Sequence, residues 1–167
     1  TWTLPPIPTI DQVGALALPH EITPVKAPFE TINFRKPSFP DQQVTLSLHP
    51  SKINTTSIQT VIDKLSEQGG GTVVVPEGSW LTGRIILKSN INLHFNKGAT
   101  LRFSGEIEDY LPVVYTRIEG VEVMSLGACI YANNASNIAI TGNGRLIGPA
   151  NGPVRDKIMT KHLIGDV

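Results

Sequence analysis

GGGTVVVPEGSWLTGRIILKSNINLHFNKGATL, residues 69–101, decides how this chain is read: four short β-branched runs follow one another through turn residues, with no helix-length apolar stripe between them. Val73, Val74 and Val75 stop at Pro76, whose fixed φ suits a turn, and Glu77-Gly78 completes it with a residue that tolerates positive φ. Residues 84–87, 91–95 and 100–103 supply the next three runs. Runs this short bury nothing alone, so they stack on neighbours, as in a sandwich, a barrel or a β-solenoid.

An internal echo favours the solenoid. Ser89-Asn90-Ile91-Asn92-Leu93, followed by a turn at Gly98 and by Thr100-Leu101, recurs as Ser136-Asn137-Ile138-Ala139-Ile140, with turns at Gly142 and Gly144 before Leu146-Ile147. The offset, from residue 89 to residue 136, falls within the roughly 20–50-residue period of solenoid repeats and fits one long coil or two shorter ones. Upstream, Thr56-Ser57-Ile58-Gln59 has the form of a capping box, and Ile58, Val61, Ile62 and Leu65 follow as one apolar stripe before a left-handed stop at Gly69. The spacing predicts a capping helix near 56–68, placed to plug the open end of the stack, since a solenoid's terminal rung otherwise exposes its core.

Across residues 56–149 the chain resembles the polygalacturonase-like enzymes of glycoside hydrolase family 28, within the pectin-degrading β-helix superfamily. The residues that carry the resemblance are Ser57-Ile58-Gln59, the Gly69-Gly70-Gly71-Thr72-Val73-Val74-Val75-Pro76 run, Leu81-Thr82-Gly83, Leu87-Lys88-Ser89-Asn90 and Gly98-Ala99-Thr100-Leu101. It continues through Glu108-Asp109-Tyr110, Thr116-Arg117-Ile118-Glu119-Gly120, Ile130-Tyr131-Ala132 and Asn137-Ile138-Ala139-Ile140-Thr141-Gly142. The resemblance implies an all-β fold: the first coils of a right-handed parallel β-helix with an N-terminal capping α-helix. It also implies a pectic polysaccharide, galacturonan or rhamnogalacturonan, as partner, a secreted or periplasmic location, and inverting hydrolysis.

Catalysis in that family rests on an Asn-Thr-Asp motif, an Asp-Asp pair, a Gly-His-Gly motif and an Arg-Ile-Lys motif on later coils. None is present: Asn54-Thr55 runs into Thr56, no two aspartates are adjacent, no histidine is flanked by glycines, and Arg84-Ile85 continues into Ile86. Inversion needs an acid and a base about 6.5–9.5 Å apart around the scissile bond. The densest acidic cluster, Glu106, Glu108 and Asp109, lies in a loop between Gly105 and Pro112, reads as a solvated turn, and repels a polyanionic substrate. The expectation is therefore an N-terminal portion that carries no catalytic residue and is inactive alone.

Arg117 and Glu119 are the candidate substrate-binding residues. Arginine grips carboxylates through two parallel hydrogen bonds, and Glu119 is placed to orient it or to bond a sugar hydroxyl; a loop ion pair is the plainer reading. Relatives carry tryptophan where Ile118 stands and an aromatic after the Gly148 turn, so two stacking surfaces are missing here. Tyr131 remains, read as a core residue at a strand end.

The other signals bound the function. His20, His49, His94 and His162 share no ligand spacing and Cys129 is the one cysteine, read as a buried thiol, so no metal and no cofactor is expected. Gly142-Asn143-Gly144 and Gly69-Gly70-Gly71 read as turns; neither has the context of a nucleotide-binding loop. Formal net charge is +0, which argues against a nucleic-acid or membrane-surface partner, and no apolar run approaches the ~20 residues of a bilayer span.

Three regions follow from composition. Residues 1–43 form a proline-rich N-terminal arm, with Pro5, Pro6, Pro8, Pro19, Pro24, Pro28, Pro37 and Pro40, and show no signal-peptide pattern. Residues 44–150 form the coils. Residues 151–167 form a C-terminal tail with a short helix expected over 154–164. A second functional reading is a complete, non-catalytic small β-helix that binds polysaccharide or self-associates through its exposed last coil.

Overall fold

The structure is a computed structural model and describes Thr9, residues 36–150 and residues 152–154. Most of the proline-rich arm and of the 154–164 helix lies outside the described residues.

The chain visits three parallel sheets in rotation. After β1 (Gln43–Thr45) and α1 (Thr55–Glu67), β2 (Gly71–Val75), β3 (Gly78–Thr82) and β4 (Ile85–Ile86) make one coil. A second consists of β5 (Ile91–Phe95), β6 (Ala99–Phe103) and β9 (Ile130–Tyr131), and β10 (Ala139–Gly142) with β11 (Arg145–Ile147) begins a third. Each strand pairs in parallel with its counterpart one coil on: β1-β2-β5-β10, β3-β6-β11 and β4-β9. Such cyclic, parallel, right-handed crossovers define a right-handed parallel β-helix.

Side-chain alternation fills the interior. Ile91, Leu93 and Phe95 point inward while Asn92 and His94 stay half-buried. Register then stacks like on like: Val73 on Leu93, Val75 on Phe95, Trp80 on Leu101 and Ile85 on Ile130. Each fully buried aliphatic side chain in this column contributes about 1.5–3 kcal/mol relative to exposure.

The sequence echo is one long coil. Ala139 pairs with Asn92 and Ile140 with Leu93, and Asn137 Nδ2 donates to Asn90 Oδ1 at 3.0 Å across 47 residues. Asn90 and Asn137 both have left-handed φ, 61° and 55°, at the bend that precedes sheet one. The coil's additional length is spent between β6 and β9, on a 3-10 turn (Ile107–Tyr110) and an antiparallel hairpin of β7 (Val114–Ile118) and β8 (Val121–Ser125).

The helix differs from its sequence reading at one end only. No capping box forms: Asn54 is the N-cap residue without a side-chain cap bond, and Gln59 turns to the backbone of Ile86 instead. The far end closes as read, with Gly70 N donating to Leu65 O at 2.8 Å and Gly69 N to Ser66 O at 3.1 Å, the paired bonds of a Schellman motif around the left-handed Gly69. Ile58, Ile62 and Leu65 are buried in the coil's core and Val61 packs beside them. The other departure is β3. The sequence reads there only as the Glu77-Gly78 turn, with no run over residues 79–82, yet Gly78–Thr82 form a full strand in which Trp80 packs on the core and donates Nε1 to Pro76 O at 2.9 Å.

Candidate functional site

Arg117 and Glu119 sit at the tip of the β7–β8 hairpin. Ile118 faces Val121 across a two-residue connection whose central residues, Glu119 and Gly120, have φ of 50° and 88°, the signature of a type I′ turn. Glycine adopts this conformation freely; glutamate does so at a cost, which marks Glu119 as strained. Arg117 Nε donates to Gly120 O at 3.1 Å, so the guanidinium is partly held by its own turn.

Antiparallel register decides which side chains share a face. Arg117 lies opposite Glu122 and Tyr115 opposite Met124, and all four are exposed, whereas Val114, Thr116, Val123 and Ser125 are half-buried on the other face. The outward face thus carries an aromatic ring, a guanidinium, a carboxylate and a thioether, an amphipathic strip suited to one face of a pyranose ring with a carboxylate at its edge. A hydrogen bond to the Glu122 carboxylate raises the Tyr115 pKa above the ordinary tyrosine value. Glu122 and Tyr115 escaped the sequence reading, since their place beside Arg117 follows from hairpin register, and the available signal was Glu119-Gly120 as a two-residue turn.

Tyr131 is not a core residue. It is half-buried on β9 and its hydroxyl donates to the Tyr115 carbonyl, which ties the hairpin to the coil. Cys129 is likewise only half-buried, with Sγ 3.8 Å from the Tyr110 hydroxyl. Tyr110 is fully enclosed, donates to Ser104 O at 2.7 Å, and has its pKa pushed well up by burial.

The acidic cluster is spread out. Glu106 and Glu108 are exposed and Asp109 half-buried, and the Asp109 carbonyl accepts from Arg84 N at 3.1 Å. A cleft of about 370 Å³ between α1 and the Leu111-Pro112 turn is lined by Asp63, Asp109 and Arg84 with Thr56, Thr60 and Gln59. Asp63 accepts from Gln59 there, at 2.9 Å. Among the described residues no group of three His, Cys, Asp or Glu side chains could hold a metal ion, and no helix is long and apolar enough to cross a membrane.

No protein-family model matches the chain. It is 31% identical over 105 residues to a probable polygalacturonase of Vitis vinifera, covering 58% of this chain and 21% of the relative. It is 34% identical over 103 residues to an exo-poly-alpha-D-galacturonosidase of Dickeya chrysanthemi, covering 58% and 17%. A hyperthermoactive exopolygalacturonase of Thermotoga maritima superposes with a TM-score of 0.65 at 43% identity, over 70% of this chain and 27% of that one. A family 28 exopolygalacturonase of Yersinia enterocolitica gives 0.53 at 28%, over 64% and 21%. The chain spans about a fifth of the length of the curated relatives it matches, and over that part it is polygalacturonase-like in sequence and fold.

Proposed function

We propose that this chain forms the opening coils of a polygalacturonase-like hydrolase of pectic polysaccharide, in which inverting chemistry is done by coils that this sequence does not contain. The observation that carries the reading is the state of the third coil. Ile140 stacks on Leu93 and Leu146 on Leu101, so both belong to inward rows; yet they are 47% and 46% exposed where their partners are fully buried. A core row left half open is completed by another coil. The missing aspartate motifs and the dispersal of Glu106, Glu108 and Asp109 support placing the acid and base elsewhere.

In this reading the hairpin face of Tyr115, Arg117 and Glu122, with Glu119 at its tip, contacts the galacturonate chain: the guanidinium takes a carboxylate and the ring takes a sugar face. Action on an extracellular polymer puts the protein outside the cell or in the periplasm. Calorimetric titration of the purified chain with trigalacturonate tests the contact: saturable binding that weakens in Arg117→Ala supports it, and no heat of binding at millimolar ligand refutes it.

The same open row favours a second reading, a non-catalytic β-helix that self-associates through β9, β10 and β11. Light scattering separates the two: a concentration-independent dimer or larger species supports self-association, and a monomer supports the first.

A further inference from the structure

The geometry points to Arg84 as the positioning residue that fixes how the β7–β8 hairpin stands on the coil, and therefore where its outward face is presented. This rests on the reading that the hairpin meets the polysaccharide.

Arg84 immediately precedes β4 and is 5% exposed. Its Nη1 donates to Leu126 O at 2.8 Å and its Nη2 to Pro112 O at 2.6 Å. Those two carbonyls flank the hairpin, one just before Val114 and one just after Ser125, so a single planar fork grips both roots at once. Geometry of this kind suits arginine and not lysine, whose ammonium is a compact point charge. Among the described residues Nε, which is buried, has no partner, and the side chain makes no ion pair. Burial lowers the pKa of this guanidinium.

A largely buried guanidinium with no ion-pair partner among the described residues is expensive, and a packed apolar side chain would serve a plain core better. At this position the side chain ties both roots of the hairpin to the coil. Two-stranded hairpins are marginal alone in water, and this one leaves Ile118, Val121 and Met124 exposed. Its second pin is the Tyr131 hydroxyl on the Tyr115 carbonyl, and Tyr131 pairs with Ile86 one coil away. Adjacent rungs thus hold the excursion through two side chains.

Amide hydrogen exchange on the full chain tests this without ligand. In R84M, residues 114–125 are expected to exchange about tenfold faster or more, with residues 71–103 unchanged. R84K, which keeps the charge and loses the fork, falls between, and Y131F loosens the same segment less. Unchanged hairpin protection in R84M and R84K, or equal acceleration across residues 71–103, overturns the proposal; should R84M not fold, R84K decides on the same comparison. Trigalacturonate titration of the same proteins adds the functional consequence, with R84M binding more weakly than wild type. Failure of the wild type to bind would refute the polysaccharide reading, while the exchange data still judge the clamp.

Discussion

The side-chain amide of Gln59 makes both hydrogen bonds that Ile86 would make to a neighbouring strand: Nε2 donates to the Ile86 carbonyl and Oε1 accepts from its amide, each at 2.9 Å. A helix residue thereby imitates a strand edge. Thr55 Oγ1 accepts from Gly83 N at 2.6 Å, and Ser66 Oγ donates to Ser89 O at 2.9 Å, so α1 satisfies the first coil at three points while its apolar stripe covers the core. This closure is what lets one end of a solenoid face water.

Gln59→Leu leaves the amide and carbonyl of Ile86 without partners, and unfolding in urea is expected to show a loss of about 1–3 kcal/mol at unchanged m-value. Gln59→Glu is expected to cost at least as much, since a carboxylate cannot donate to Ile86 O and meets Asp63.

The left-handed bend at Asn137 separates two terms. Asn137→Gly keeps the conformation and loses the side-chain bonds to Asn90 Oδ1 and Ser38 O, whereas Asn137→Val loses both and also forces a β-branched residue into a left-handed φ at about 1–2 kcal/mol more. Thermal unfolding of the two variants measures the difference; equal losses would mean that the bend carries no strain.

Alkaline stability reports on Tyr110. Its folded pKa is raised by burial, so the neutral phenol is the form the fold accepts, and its contribution is intact below the unfolded value of about 10 and declines as pH rises beyond it. Unfolding free energy measured from pH 8 to 12 is expected to fall above pH 10, less steeply in Tyr110→Phe. A flat profile in wild type would contradict the assignment.

On the hairpin, Arg117→Ala is expected to weaken trigalacturonate binding about tenfold and to reduce its salt dependence, as loss of one charge-assisted contact requires. Tyr115→Ala is expected to weaken it without altering the salt response. Identical effects of both on salt dependence would mean that the guanidinium makes no carboxylate contact.

Much of this fold could be read directly. Pro76, Gly98 and the paired Ser-Asn steps at 89 and 136 are local signals whose meaning does not depend on distant residues, so the coiled strands and the helix stripe follow from them, while the choice of one long coil over two shorter ones comes from the strand pairing. Gln59 shows the limit: its spacing from Thr56 matches a capping box, but a free strand edge at Ile86 outcompetes the local amides, and that edge exists only once the chain has coiled. Trp80 likewise hid a strand, since its neighbours alternate poorly and its place comes from stacking on Leu101. Arg117 and Glu119 can be named as candidates from the local sequence alone, whereas Glu122, Tyr115 and the grip of Arg84 are relations between segments and needed the hairpin's register to appear.

The most direct test incubates the purified 167-residue chain with polygalacturonate and with rhamnogalacturonan and measures new reducing ends. No release above a heat-denatured control is the predicted result, because the acid and base are assigned to coils outside this sequence. Sustained release, abolished by substituting Glu106, Glu108 or Asp109, would contradict that assignment and place the chemistry on the 3-10 turn.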